Sequence, residues 1–154
     1  MRYDTSKFKK LTDESKDVWD YIHNNTLPIV KRSIVIEPDY MFKVLKKAID
    51  DGIISTNTRR WCNLYWFRNQ FKLYLCESWL VRILYSMDIP ICYIYEKQID
   101  NSDWYRFFAK IKFIGGWRES QQCIKLIDNQ TNRYIKGDLT IDKEKWDIIS
   151  NKLQ

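Results

Sequence analysis

The chain has 154 residues, a formal net charge of +6 and 24 aromatic residues, seven of them tryptophan. It has one histidine and four glycines, which leaves little support for paired-histidine catalysis or glycine-rich phosphate loops. The length and a hydrophobic fraction of 45% predict a single globular α+β domain over residues 1–154. The positive charge favours nucleic acid as a partner, although an AT-rich coding sequence would produce the same lysine excess.

The four cysteines lie far apart, with at least 13 residues between neighbours: Cys62, Cys76, Cys92 and Cys123. Without a Cys-x-x-Cys pair we expect no metal site and no cofactor, and we expect free thiols in a reducing compartment. The N-terminus is polar and unlike a signal peptide, and the longest apolar run, residues 89–95, is too short to cross a membrane. These features predict a cytoplasmic protein without a membrane partner.

In the N-terminal part, periodicity and punctuation predict two helices and one strand. The elements are a helix over 12–24 capped by Thr12, a strand over 29–36, and a helix over 38–50 that begins at Pro38 and ends before Gly52. Residues 60–77 fit two structures. We favour a hairpin with a turn at 68–70 because aromatic residues are enriched there, and a helix is the alternative because apolar residues also recur at helical spacing.

The C-terminal part predicts one helix, an antiparallel meander and a final helix. The elements are a short helix capped by Ser78, a strand over 91–96, a turn over 100–103, a long alternating strand over 104–114, a hairpin of 123–127 with 133–136, and a helix capped by Asp142. The fold class is therefore α+β, with an antiparallel sheet packed with about four helices. Residues 29–96 can also be ordered as a ferredoxin-like β-α-β-β-α-β unit.

Strand alternation places a basic surface on the long strand, with one aromatic ring among the cations. Arg106, Phe108, Lys110 and Lys112 share that face, and Lys125, Arg133 and Lys136 extend it from the following predicted strands. Cations that follow phosphates and rings that stack on bases are what single-stranded nucleic acid requires. The alternative is an ordinary solvated sheet face.

A second basic and aromatic group precedes this strand, and a third candidate follows it. The second group comprises Arg59, Arg60, Trp61, Tyr65, Trp66 and Arg68. The alternative is that its aromatic residues are mostly core and its arginines are ordinary surface residues. Trp104, Trp117 and Arg118 complete the predicted binding residues; Trp117 and Arg118 follow the glycine pair at 115–116. We expect Trp66, Trp104 and Trp117 to be partly exposed, and Trp19, Trp79 and Trp146 to be buried.

Three functions remain open, and no catalytic residue is assigned. The first is a non-enzymatic binding protein for nucleic acid or a nucleoprotein complex. The second is a small inhibitor, of the kind made by phages or mobile elements, that blocks an enzyme by occupying its substrate site. The third is a carboxylate- and metal-dependent nuclease that uses Glu37 and Asp39 with Glu96 and Lys97.

Overall fold

The computed structural model describes residues 3–71, 75–115, 117–137 and 143–152. Within these residues the helices are α1 (Lys16–Asn24), α2 (Pro38–Asp50), α3 (Leu64–Phe71), α4 (Glu77–Ser86), α5 (Trp117–Ile135) and α6 (Lys143–Lys152). The strands are β1 (Lys9–Lys10), β2 (Val30–Lys31), β3 (Ile34–Val35), β4 (Ile54–Ser55), β5 (Cys62–Asn63), β6 (Ile91–Lys97), β7 (Asp103–Ala109) and β8 (Lys112–Phe113). Every strand pair is antiparallel, and the predicted α+β class is confirmed.

The contacts divide the chain into two compact units. The first unit comprises residues 1–28 and 59–110, and the second comprises residues 29–58 and 111–154. Each unit carries 13 basic and 10 acidic residues, so the positive charge is shared equally between them. Net charge therefore does not distinguish one unit from the other as a candidate for binding a polyanion.

A four-stranded antiparallel sheet organises the first unit in the order β1-β6-β7-β5. The long β6–β7 hairpin runs from the pair Ile91–Ala109 to the pair Lys97–Asp103, as the sequence predicts for this part of the meander. Its loop closes with a 2.9 Å hydrogen bond from the backbone N–H of Gln98 to the carbonyl of Ser102. This hairpin supplies two residues of the candidate site described below, Trp104 and Arg106.

Both faces of this sheet are covered near its centre. On one face Tyr105 and Phe107 contact Tyr21 of α1, with ring centroids 5.0 and 6.4 Å from the Tyr21 ring. On the other face Phe108 stacks on Phe8 at 4.5 Å and is only 3% exposed. The predicted exposure of Phe108 is therefore wrong, because the N-terminal segment covers the face that alternation assigned to solvent.

Residues 64–71 form helix α3, and the predicted hairpin over 60–77 is wrong. The side-chain oxygen of Asn63 accepts a 2.9 Å hydrogen bond from the backbone N–H of Tyr65, which stabilises the first turn. Leu64 and Phe67, three positions apart on one helix face, are fully buried. Burial of one helical stripe therefore outweighs the β propensity of the aromatic residues. Residues 72–74 lie outside the described residues.

In the second unit, helix α2 is confirmed, and the predicted strand over 29–36 is instead a hairpin. Helix α2 begins at Pro38, and Gly52 follows its end with φ of +78°. Arg32 and Ser33 form a two-residue turn between β2 and β3, with φ of +52° and +65°. Residues 29–96 thus form no single sheet, and the ferredoxin-like order is wrong.

Residues 117–135 form helix α5, so the predicted hairpin of 123–127 with 133–136 is wrong. Cys123, Ile127 and Thr131 are buried at four-residue spacing, which is the period of a helix. The polar run at 128–132 resembled a turn, but Gln130 and Thr131 are buried on this helix. The long strand also ends earlier than predicted, because residues 112–113 pair with β4 as strand β8.

The predicted helix starts are shifted by a few residues. Ser15, not Thr12, precedes α1, and its Oγ accepts a 3.1 Å hydrogen bond from the backbone N–H of Thr12. Cys76, not Ser78, precedes α4. The predicted cap Asp142 lies outside the described residues, and α6 is described from Lys143. None of the described helices is long and apolar enough to cross a membrane.

Candidate functional site

Five of the predicted binding residues come together on the first unit. We call them the arginine–aromatic cluster: Tyr65, Trp66 and Arg68 of α3, with Trp104 and Arg106 of β7. Leu64 and Phe67 bury the inner face of α3 and leave its outer face to Tyr65 and Trp66. Tyr65 is 39% exposed and Trp66 is 63% exposed, and the predicted partial exposure of Trp66 and Trp104 is confirmed.

The guanidinium groups of the cluster lie over its rings. Cζ of Arg106 is 4.3 Å from the ring centroid of Trp104 and 5.0 Å from that of Tyr65. Cζ of Arg68 is 5.2 Å from the Tyr65 ring. Tyr65 and Trp66 meet edge to face with centroids 5.9 Å apart. Cation–π contacts of this kind hold the arginine side chains in place while leaving N–H donors available for an anion.

Glu77 is the carboxylate of this site, and sequence reasoning missed it. Its Oε2 lies 3.5 Å from Nη1 of Arg106, and the two side chains are only 18% and 14% exposed. Burial raises the pKa of Glu77 to about 7, although Arg106, Arg68 and a backbone hydrogen bond from Phe107 each lower it. One signal in the sequence pointed to this residue: Glu77 is the only carboxylate between Asp51 and Asp88.

The cluster opens onto a cavity of about 430 Å³. Its lining includes Tyr21 of α1, Tyr65 and Arg68 of α3, Glu77 of α4, and Arg106 of β7. Among the described residues Glu77 is the only acidic side chain that lines this cavity, and Arg68 and Arg106 are the only basic ones. The cavity therefore combines two fixed positive charges with one carboxyl group that titrates near neutral pH.

A larger groove of about 880 Å³ lies beside this cavity and has the opposite chemistry. It shares Tyr21, Asn25 and Tyr105 with the cavity, and its charged lining residues are Glu14, Asp17, Asp20 and Asp103 with Lys9 and Lys16. Tyr95 donates a 2.5 Å hydrogen bond to Asp103 at its edge. Among the side chains that the structure describes, the groove is thus lined by four acidic and two basic ones, whereas the cavity is lined by one acidic and two basic ones.

Lys110, Arg59 and Arg60 belong to the first unit but take other positions. Nζ of Lys110 lies 4.9 Å from the ring of Trp61, which itself packs against Phe8. Arg59 and Arg60 are exposed just before β5. The sequence grouped Lys110 with Phe108 on an open basic face, but the ring of Phe108 lies in the core.

The remaining predicted binding residues belong to the second unit, so the predicted continuous basic sheet face is wrong. Lys112 is exposed on β8, and Arg118 and Lys125 are exposed on α5. Helical geometry takes Lys125 away from any strand face. Trp117 begins α5, and its side chain lies outside the described residues.

The carboxylates considered for a nuclease are divided between the two units. Glu37 is the N-cap residue of α2, and Asp39 lies in its first turn, where a negative charge stabilises the helix dipole. Glu96 and Lys97 are exposed at the end of β6 in the other unit. In the part of the chain that the structure describes, no three His, Cys, Asp or Glu side chains are grouped so that they could hold a metal ion.

Comparisons with protein-family models, with curated proteins and with solved structures find no match for this chain.

Proposed function

We propose that this chain is a binding protein that engages single-stranded nucleic acid, free or within a nucleoprotein complex, through the arginine–aromatic cluster. The observation that carries the proposal is the placement of Arg68 and Arg106 over the ring of Tyr65, which meets the exposed ring of Trp66 edge to face. Guanidinium groups pair with phosphates, and exposed rings provide faces on which unpaired bases stack.

The local charge supports a polyanionic ligand. Residues 52–76 contain four basic and no acidic residues, and they include α3 and the exposed Arg59 and Arg60. The cluster is also built on a helix and a strand rather than on a mobile loop. A rigid platform reduces the conformational entropy that binding must offset, which favours affinity for a flexible strand.

Binding of a labelled thymidine oligonucleotide, followed by fluorescence anisotropy across a salt series, tests this proposal. For Arg68→Ala we expect roughly tenfold weaker binding at low salt and a salt slope reduced by about 0.7, because one phosphate contact is lost. Arg82→Ala is the matched control. Its guanidinium lies 4.1 Å from the ring of Trp79 on α4, outside the cluster, so it removes the same charge from a similar pair.

Trp66→Ala separates stacking from charge. Loss of one stacked base costs about 1–3 kcal/mol, which corresponds to roughly 5- to 150-fold weaker binding with an unchanged salt slope. The proposal fails if the wild-type protein shows no salt-dependent binding, or if Arg82→Ala weakens binding as much as Arg68→Ala.

A protein partner is the second candidate, and the exposure of Trp66 favours it. Trp, Tyr and Arg are the residue types most enriched at the energetic centres of protein interfaces, and Tyr65, Trp66 and Arg68 place all three on one helix face. An inhibitor of this kind would bind oligonucleotides negligibly and would recover one stoichiometric partner in a pull-down that Trp66→Ala abolishes.

A further inference from the structure

The ion pair inside the cavity has a looser geometry than a strong, charge-assisted hydrogen bond. Such bonds between guanidinium and carboxylate measure about 2.7–2.9 Å, whereas Nη1 of Arg106 and Oε2 of Glu77 are 3.5 Å apart. The guanidinium of Arg106 contacts the ring of Trp104 on β7 and the ring of Tyr65 on α3. The contact with Glu77 is therefore not the only support of this guanidinium.

We propose that the cavity beside Arg106 is a phosphate subsite for the bound strand, in which a phosphodiester and the Glu77 carboxylate compete for the same guanidinium. The inference rests on the proposed function, since it assigns one phosphate of the ligand to a particular place in the cluster. A phosphate there contacts Arg106 and Arg68 together, and both line the cavity.

The charged and titratable groups that face Glu77 come from three neighbouring elements. They are Arg106 and the phenol of Tyr105 on β7, Arg68 and the phenol of Tyr65 on α3, and the phenol of Tyr21 on α1; the thiol of Cys76, next to Glu77 in the chain, also lines the cavity. The two arginines are always charged. The lining of the cavity therefore has a net charge of +1 when Glu77 is ionised and +2 when Glu77 is protonated. A phosphodiester keeps a single negative charge between pH 6 and 8, so it binds the protonated form of the site more tightly.

Proton uptake follows from this competition. Burial holds the pKa of Glu77 near 7, so its carboxyl group is mostly protonated at pH 6 and mostly ionised at pH 8. When only the protonated form binds the phosphate, the affinity scales with the protonated fraction, which falls about tenfold between these two pH values. An arginine site without such a carboxylate keeps the same affinity across this range, because guanidinium does not titrate.

The experiment measures the dissociation constant of a thymidine oligonucleotide at pH 6, 7 and 8 and constant ionic strength. We expect about tenfold tighter binding at pH 6 than at pH 8 for the wild-type protein. Glu77→Gln should bind equally well at all three pH values and about tenfold more tightly than wild type at pH 8. The matched control is Glu144→Gln, which removes an exposed carboxyl group from α6 in the second unit. Its pH dependence should equal that of the wild type.

The inference is overturned if Glu77→Gln keeps the wild-type pH dependence. Groups that the two proteins share contribute equally to both binding curves and cancel in this comparison. A measurement on the unmodified protein guards against a misfolded variant: calorimetry at pH 8 in two buffers of different ionisation enthalpy should reveal uptake of close to one proton per bound strand. No uptake overturns the inference.

Sulfate separates failure of the subsite from failure of the proposed function. It is doubly charged at all three pH values, and we expect it to bind the wild-type protein more weakly as pH rises and to bind Glu77→Gln independently of pH. If sulfate behaves in this way and no oligonucleotide binds, the subsite stands and the nucleic-acid function is wrong. If oligonucleotides bind and neither ligand depends on Glu77, the function stands and the subsite is wrong.

Discussion

Replacing Glu77 by glutamine tests the physical description of the cavity without any ligand. The substitution keeps the shape of the side chain and removes a carboxyl group whose pKa burial raises from its ordinary value of 4.5 to about 7. In the unfolded chain this group titrates near its ordinary value. Between these pH values the folded protein retains a proton that the unfolded chain has released.

The sign of the effect follows from this difference in bound protons. Well below pH 4.5 the carboxyl group is protonated in both the folded and the unfolded state, so its titration does not change the free energy of unfolding. As the pH rises toward 7, the unfolded state loses its proton first, so the free energy of unfolding of the wild-type protein decreases. Between pH 5 and pH 8 the contribution of Glu77 falls by about 2–3 kcal/mol. Glutamine does not titrate, so Glu77→Gln escapes this loss.

The assay is urea denaturation followed by tryptophan fluorescence at pH 5, 6.5 and 8. Between pH 5 and pH 8 we expect the free energy of unfolding of Glu77→Gln to rise by about 2–3 kcal/mol relative to that of the wild type. Loss of the contact with Arg106 shifts the curve of the variant by the same amount at every pH and does not change this difference. Glu144→Gln is the control and should follow the wild type within about 0.5 kcal/mol. Parallel stability curves for wild type and Glu77→Gln would refute the assignment of a raised pKa to this buried carboxyl group.

Three further predictions concern the second unit and the thiols. Replacing the turn Arg32–Ser33 by Asn–Gly should stabilise the protein by about 1 kcal/mol, or roughly 3 °C in Tm by calorimetry, because both residues have positive φ; a lower Tm would contradict this. Asp128→Asn should lower the free energy of unfolding, measured by urea denaturation, by about 1–2 kcal/mol, because Asp128 pairs with the buried ammonium group of Lys31. An unchanged urea midpoint would show that this ion pair does not stabilise the protein. Burial raises the pKa of the Cys92 and Cys123 thiols to about 12. At pH 8 iodoacetamide should therefore label both thiols far more slowly than the half-buried Cys76, as measured by peptide mass spectrometry. Equal rates for all three thiols in the native protein would contradict the burial.

The elements predicted correctly are those in which local signals agree with each other. Helix α2 has proline at its start, an apolar stripe and a glycine after its end. The β6–β7 hairpin combines alternation with a polar turn. In both cases the residues that determine the conformation lie within the element, so the sequence alone predicts it.

The elements predicted wrongly have local signals that point in two directions. Residues 64–71 combine aromatic β formers with helical spacing, and residues 117–135 contain a polar run that resembles a turn. The helix is favoured in both because burial of one face, which includes Phe67 in α3 and Ile127 in α5, stabilises the chain more than the propensity difference.

The candidate site was predicted in part. Composition identified Tyr65, Trp66, Arg68, Trp104 and Arg106 as binding residues, and they form one cluster. The proposed nucleic-acid ligand remains a prediction. Glu77 was missed because its property comes from burial beside Arg106, and residues 77 and 106 are distant in sequence.

By itself the sequence determined the α+β class, helix α2, the β6–β7 hairpin and the residue types available for binding. Tertiary structure alone decided which of those residues meet. In the folded protein Phe108 is buried against Phe8, Lys112 and Lys125 belong to the second unit, and Glu77 lies next to Arg106. Residue type and local periodicity are encoded in short segments, whereas burial and pKa depend on segments that fold back from elsewhere in the chain.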